Sequence, residues 1–289
     1  MIHTPLIICY SITKASALFQ RLKQIANAKN KMDNFLDFKD KVVILTGASS
    51  GIGAETARIL SSYDAKLTIV GRNAERLKKV AQECEEKKGM PPLQILVDLT
   101  YPGSCETVVH KTVARYGKID VLINCAGNFS LSSVFDESIN SFDDIMGINL
   151  KVPYHLTQLT IPHLVKTKGN IINISFSMTN KYRPGLLVSN MAKSALERFT
   201  IQAAAELATE GVRINTVTPG ITRTNILSSL DIDDPTQQYV YDWISSILPC
   251  GKVLDPKEVA LYICVVASDV FKNMTGASLV IDGASSLVS

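Results

Sequence analysis

Three glycines, at positions 47, 51 and 53, punctuate the run Thr46-Gly47-Ala48-Ser49-Ser50-Gly51-Ile52-Gly53. Their spacing, G-x-x-x-G-x-G, lets a backbone turn tightly and approach a ligand, because glycine has no Cβ and accepts positive φ. Residues 42–45 before the run are apolar and mostly β-branched, which predicts a buried strand; residues 54–60 after it predict a helix. A glycine turn that feeds a helix offers unpaired N–H groups and the positive end of the helix dipole, the chemistry of a pyrophosphate cradle. Such a turn can also be purely structural, but its place between strand and helix points to a dinucleotide.

Two other predicted strand ends carry charge. The second strand ends at Val70-Gly71-Arg72-Asn73, where an acid would suit the ribose 2′-hydroxyl of NAD and a guanidinium suits the 2′-phosphate of NADP. Arg72 therefore points to NADP, the alternative being a solvated side chain at a helix entry. The third ends at Asp98-Leu99, an acid placed to accept from an adenine amino group or to cap the next helix, two compatible roles. The fourth runs into Asn124-Cys125-Ala126-Gly127. Small residues at 126 and 127 let the backbone pass close to a cofactor, while Asn124 is expected to tie neighbouring loops.

These ends must be positioned by a scaffold, and the chain supplies one from Lys41 onward. Predicted strands at 67–70, 93–97, 119–123, 170–174, 213–217 and 278–281 alternate with helices at 74–87, 104–116, 142–166, 186–208 and 256–267. Such alternation specifies an α/β fold, a Rossmann-type doubly wound parallel sheet in a single domain, with ligands outside the carboxyl ends of the strands.

Composition narrows the function classes. The 289 residues are 46% hydrophobic and 20% charged, enough for one sizeable core, and no apolar run is long enough to span a bilayer. Of the 30 Lys and Arg residues, five lie in residues 1–31, which contain no acid, leaving 25 against 27 acidic residues in the body. A nearly neutral body argues against nucleic acid as a partner. Cysteines 9, 84, 105, 125, 250 and 264 show neither metal nor redox spacing, which suits reduced, buried thiols of an intracellular protein and no metal. Residues 1–31 place Leu18, Phe19, Leu22, Ile25 and Ala26 on one helical face and lack acids. They read either as a mitochondrial transit peptide or as a leader before a true start at Met32 in a cytoplasmic protein. The body is then residues 32–289.

These motifs together resemble the short-chain dehydrogenase/reductase family over residues 38–285. The resemblance rests on TGASSGIG at 46–53, Asp98, NCAG at 124–127, Asn149, Lys193, Pro219-Gly220 and the closing IDG at 281–283, and is strongest to the branch of 3-oxoacyl-[acyl-carrier-protein] reductases. It implies a nicotinamide cofactor, hydride transfer to a carbonyl or from an alcohol, and a homo-oligomer, tetramer or dimer. It also implies that Gly47, Ser49, Ser50, Gly51, Ile52, Gly53, Arg72, Asp98, Leu99, Asn124, Ala126 and Gly127 line the cofactor. Lys193, Pro219, Gly220, Ile221 and Thr224 complete that set, Lys193 on the nicotinamide ribose and the others about the carboxamide.

The family's chemistry needs a tyrosine to give the proton, a lysine four residues later, a serine to polarise the carbonyl and an asparagine to hold a relay water. Asn149 and Lys193 are present, but Ser189 stands four residues before Lys193 and Phe176 stands at the serine position thirteen before that. A serine hydroxyl is a ring shorter than the phenol and far less acidic than its unperturbed pKa of about 10. Loss of a placed general acid costs about 10² to 10⁴ in rate. Ser175 and Ser177 flank Phe176 but are expected to point elsewhere, and Tyr182 is a possible substitute from the intervening loop. The sequence thus predicts a dinucleotide binder whose catalysis is weak or atypical, or a catalytically inactive nucleotide-binding scaffold. Residues 221–252 form the substrate region, where Tyr239, Tyr241, Trp243, Ile244, Ile247 and Leu248 predict a short amphipathic helix. That helix either packs on the core or lids a small apolar carbonyl or alcohol substrate.

Overall fold

β1 (Val42–Thr46) is buried along its whole length, as its apolar run requires, each such side chain contributing about 1.5–3 kcal/mol. The glycine turn follows and α1 (Gly51–Ser62) begins within it. β2 (Lys66–Gly71), α2 (Ala74–Lys88), β3 (Leu93–Leu96), α3 (Ser104–Tyr116) and β4 (Val121–Asn124) continue the alternation. After β4 come α4 (Asn140–Met146), α5 (Val152–Thr167), β5 (Asn170–Ile174), α6 (Leu187–Ala208) and β6 (Arg213–Pro219). α7 (Asp234–Ile247), α8 (Pro256–Ala267) and β7 (Ser278–Ile281) close the chain. This computed structural model describes residues 36–88, 90–136, 139–179, 184–230 and 232–287. Phe38–Ser289 forms one compact unit. The expectations for residues 1–31 and for Tyr182 lie outside the described residues.

Among the described residues seven strands form one sheet, all parallel, in the order β3-β2-β1-β4-β5-β6-β7. α1 packs on α2 and α8, while α3 packs on α5 and α4 on α6, which places helices on both faces of a Rossmann-like sheet. The order reverses between β1 and β4, paired through Val43↔Val121 to Leu45↔Ile123. In a doubly wound sheet such a reversal is where a ligand crevice is expected, outside the carboxyl ends of the two strands.

The helix expected over 142–166 is interrupted. Gly147–Lys151 forms a π-helical turn between α4 and α5, a distortion common at functional sites. It carries Asn149, fully buried, whose side chain exchanges two hydrogen bonds with the Asn128 backbone: Asn128 N donates to Oδ1 (3.2 Å) and Nδ2 donates to Asn128 O (2.8 Å). Satisfying both halves of a buried amide offsets the irregular backbone. No helix of the described residues is long and apolar enough to cross a membrane. The thiols of Cys84, Cys105 and Cys264 are buried as expected, but Cys250 is exposed, because it sits in the turn after α7 rather than in an element.

Candidate functional site

The cradle is built against the loop after β4. Thr46 Oγ1 accepts from Cys125 N and Ala126 N at 3.0 Å each. Gly47 has φ +69°, and a Cβ there would lie 2.8 Å from both Cα and N of Ala126, so backbone packs directly on backbone. A Cβ on Gly53 would strike the Gly47 carbonyl, which explains the third glycine. Gly51, at φ +53°, faces Thr224, whose Cγ2 would lie 3.0 Å from an added Cβ. Ser50 is the residue before α1, and its side chain makes no capping bond. The first-turn N–H groups of α1, at Gly51, Ile52 and Gly53, therefore lack an intrahelical acceptor.

Around this cradle the structure gathers most of the expected residues, though several have other duties. Arg72 Nη1 reaches Asp98 Oδ2 at 3.3 Å, with the Arg72 side chain 65% exposed. Asp98 also accepts from Thr100 N (2.9 Å) and Thr100 Oγ1 (2.7 Å). These hydrogen bonds and Arg72 hold its carboxyl below the ordinary carboxylate range despite partial burial, which opposes them. Asp98 does not cap the next helix, which starts at Ser104 after Gly103; it closes a turn onto Thr100 instead. Leu99 turns its side chain into the core. Asn124 Nδ2 donates to Asn173 Oδ1 at 2.9 Å, so it ties β4 to β5 rather than loop to loop. Ser49 lies beside β2, its Cβ 3.0 Å from where a Cβ of Gly71 would be.

Asn149 and Lys193 meet at Gly127. A Cβ added there would fall 2.7 Å from Asn149 Oδ1 and 3.5 Å from Lys193 Nζ, so only glycine leaves the space between them open. Lys193 Nζ donates to Ile174 O at 2.7 Å. Burial lowers its pKa from 10.5 to about 8, although Cys125 and Glu197 both pull it upward. Ser189 Oγ, one turn earlier on α6, is buried and has no partner among the described residues. Phe176 stands partly exposed just past β5. Its neighbours are occupied: Ser175 Oγ donates to Glu197 Oε1 at 2.6 Å, and Ser177 Oγ lies 3.5 Å from Ser285 Oγ.

The segment after β6 closes the far side. Pro219 O accepts from Ser177 N (2.9 Å) and Gly220 N donates to Ile281 O (2.9 Å). A Cβ on Gly220 would lie 2.8 Å from Asp282 Cα, which joins the Pro-Gly and Ile-Asp-Gly motifs. Ile221 O accepts from Leu254 N (2.9 Å). α7 is latched by Tyr241, whose hydroxyl accepts from Thr224 N (3.2 Å) and donates to Thr224 O (2.8 Å), with Arg223 over its ring at 4.9 Å. The expected apolar stripe of α7 divides: Tyr241 is buried, whereas Tyr239, Trp243 and Ile247 are exposed.

Three contributors were not anticipated from the sequence. Glu197 falls four residues after Lys193, a helical spacing that puts it on the same face. Ser132 Oγ accepts from Val188 N (3.0 Å) and supplies from another loop the cap that Leu186 does not. The Tyr241–Thr224 latch has no local sequence signal. Among the described residues no cluster could hold a metal ion.

A family model described as enoyl-(acyl carrier protein) reductase matches residues 47–285. The 3-oxoacyl-[acyl-carrier-protein] reductase FabG of Thermotoga maritima is 30% identical over 244 residues, 84% of this chain and 96% of the relative. Meso-2,3-butanediol dehydrogenase of Serratia marcescens is 29% identical over 246 residues, 85% and 94% of the two chains. Among solved structures, a short-chain dehydrogenase/reductase of unknown function from Caenorhabditis elegans, determined with cofactor, aligns with a TM-score of 0.82 and 31% identity. That alignment covers 87% of this chain and 97% of the other.

Proposed function

The chain belongs to the short-chain dehydrogenase/reductase family of oxidoreductases, and we propose that it binds NADP(H) but catalyses carbonyl–alcohol hydride transfer weakly or atypically. Membership implies a nicotinamide nucleotide as cofactor, which when bound supplies or accepts the hydride. The observation that carries the reading is the glycine cradle at the sheet's reversal point, where Gly47 packs on Ala126 and Thr224 abuts Gly51.

The residues fit such a group. The free N–H groups at Gly51–Gly53 suit a pyrophosphate, and the open space at Gly127 lies between Asn149 and Lys193. Arg72 suits a 2′-phosphate and favours NADP over NAD; its partner Asp98 neutralises it only in part, since the guanidinium keeps donors free at 65% exposure. Asn149 and Lys193 retain their family positions. Ser189 and Phe176 do not supply a phenol or an oxyanion donor, and these two residues support the second reading, a nucleotide-binding scaffold without turnover. The exposed Tyr239 and Trp243 on α7 suit a small apolar carbonyl or alcohol. Exposed Tyr154 and Ile201 and the open edge strand β7 suit a homo-oligomer.

The test is a fluorescence titration of the full chain with NADPH and NADH, beside Arg72→Ala. NADPH is expected to bind at micromolar concentration and more tightly than NADH. The variant is expected to lose about tenfold or more in NADPH affinity, as for a charge-assisted contact, with NADH unchanged. Binding of neither nucleotide would sink the reading.

A further inference from the structure

We propose that Tyr241 is a positioning residue for the dinucleotide: its hydroxyl holds the backbone of Thr224 against Gly51 of the cradle, so that occupation of the cradle and docking of α7 stabilise each other. This rests on the proposed function for its ligand and goes beyond it by naming what couples the cradle to the helix of the substrate region.

Little holds α7. Its fourteen residues bury one side chain, Tyr241, which is 4% exposed, whereas α1 buries six of its twelve. Among the described residues α7 has no extensive contact with another helix or with a strand. A helix with so small a buried face gains little from packing and depends on its few fastenings. Those run to the segment after β6 and to the turn after α7 itself. Arg223 lies over the Tyr241 ring at 4.9 Å and reaches Gln238 Oε1 (2.6 Å) and Asp242 Oδ1 (3.5 Å), while Ser245 Oγ accepts from Val253 N (3.2 Å). The Arg223 contacts are exposed and worth little each. The buried fastening is the Tyr241 hydroxyl.

That hydroxyl spends both its roles on one residue, accepting from Thr224 N (3.2 Å) and donating to Thr224 O (2.8 Å). Backbone groups satisfied by a side chain of another element keep their place only while that element is docked. Just before Thr224 the segment is pinned from the other side: Leu254 N donates to Ile221 O and Arg223 N donates to Leu254 O, at 2.9 Å each. Thr224 is where this clamped segment meets the cradle. Its Cγ2 and Cβ lie 3.0 and 3.1 Å from where a Cβ of Gly51 would be, beside the first turn of α1, whose N–H groups lack an intrahelical acceptor and suit a pyrophosphate. The wall next to those donors therefore stands where Tyr241 puts it.

A residue held by α7 on one side and set against the anion site on the other links the two in both directions. If docked α7 strengthens dinucleotide binding, bound dinucleotide must by the same linkage strengthen the docking of α7. The helix so fixed is the one that carries the exposed Tyr239 and Trp243.

The experiment compares the full chain with Tyr241→Phe, which keeps the ring beneath Arg223 and removes only the hydroxyl. NADPH affinity is expected to fall about fivefold or more, the lower end of ordinary coupling between sites. Adenosine 2′-phosphate, which carries the group that Arg72 suits and no pyrophosphate, is expected to bind both chains alike. A role in folding alone would weaken the two ligands together; that result, or an unchanged NADPH affinity, overturns the proposal. Hydrogen exchange reads the reverse direction. NADPH is expected to slow the amides of residues 234–247 about threefold or more in the natural chain and to leave them unchanged in Tyr241→Phe, and equal slowing in both overturns the proposal. If the natural chain binds no NADPH, the proposed function falls, and inorganic pyrophosphate takes its place in the exchange measurement: slowing in the natural chain alone still supports the coupling, and absent or equal slowing overturns it.

Discussion

Ser175 Oγ donates to Glu197 Oε1 across 2.6 Å, fastening the end of β5 to the middle of α6 and engaging one of the two hydroxyls adjacent to Phe176. Burial raises the Glu197 pKa, opposed by hydrogen bonds from Ser175 and Thr179 and by the charge of Lys193. A carboxyl with a raised folded pKa contributes stability that is present below its unfolded value of about 4.5 and is lost as pH rises through the folded one. Ser175→Ala is expected to cost about 1–2 kcal/mol at pH 7, and less at pH 4, where the carboxyl is protonated and demands less of its partner. Urea unfolding at the two pH values checks this; an equal loss at both would mean that the bond does not involve the charged form.

Gly47→Ala tests the cradle. The new Cβ would meet Ala126 backbone at 2.8 Å, and φ of +69° is strained for any L side chain. Neither atom is the end of a flexible side chain, so the turn itself must move. The expected result is a loss of about 2 kcal/mol or more in stability and of measurable NADPH binding, read by thermal melting and fluorescence titration. Gly117→Ala is the control: at φ +77° it has open space around it, so it carries the backbone strain without the clash and should leave binding intact.

The alternation of largely apolar strands and amphipathic helices made the sheet legible, because buried parallel strands are mostly apolar, as in β1, which is buried along its whole length. The glycine turn, Arg72, Asp98 and Lys193 were legible because each lies at a strand end or at fixed helical spacing. Glu197 was not singled out, since an acid within a helix is ordinarily a solvated one; its burial comes from the β5 end packing over α6. The π-turn at Gly147–Lys151 has no period of its own, and it arises from a bond between Asn149 and a loop twenty-one residues earlier. The split stripe of α7 escaped for a related reason. One hydroxyl, on Tyr241, decides which face turns in, and its partner Thr224 lies outside the helix.

Lys193 makes the stability of the protein depend on alkaline pH in a definite direction. Its folded pKa of about 8 lies below the unfolded 10.5, so between those values the unfolded state binds more protons and stability rises with pH. The penalty is full below about pH 8 and gone above about 10.5. At about 1.4 kcal/mol per pKa unit it amounts to roughly 3 kcal/mol at neutrality. Lys193→Met, which keeps the length without the charge, is therefore expected to melt several degrees higher at pH 7 and to lose most of that advantage as pH approaches about 10.5. A variant that melts lower at pH 7 would mean that the bond to Ile174 O outweighs the burial of the charge.

Restoring the two displaced groups asks whether positions 189 and 176 limit the chemistry. Ser189→Tyr places a phenol one turn from Lys193, and Phe176→Ser puts a hydroxyl where an apolar ring now stands. Asn149, Lys193 and the open space at Gly127 are already in place. The double variant is expected to reduce small apolar aldehydes about 10² to 10⁴ faster than the natural chain. Each single variant is expected to gain much less, because proton donation and carbonyl polarisation act on the same oxygen and do not add independently. No gain in the double variant, with NADPH binding intact, would mean that substrate placement under α7 limits the reaction, and that the loss of the phenol and the serine followed a change of ligand rather than caused a loss of rate.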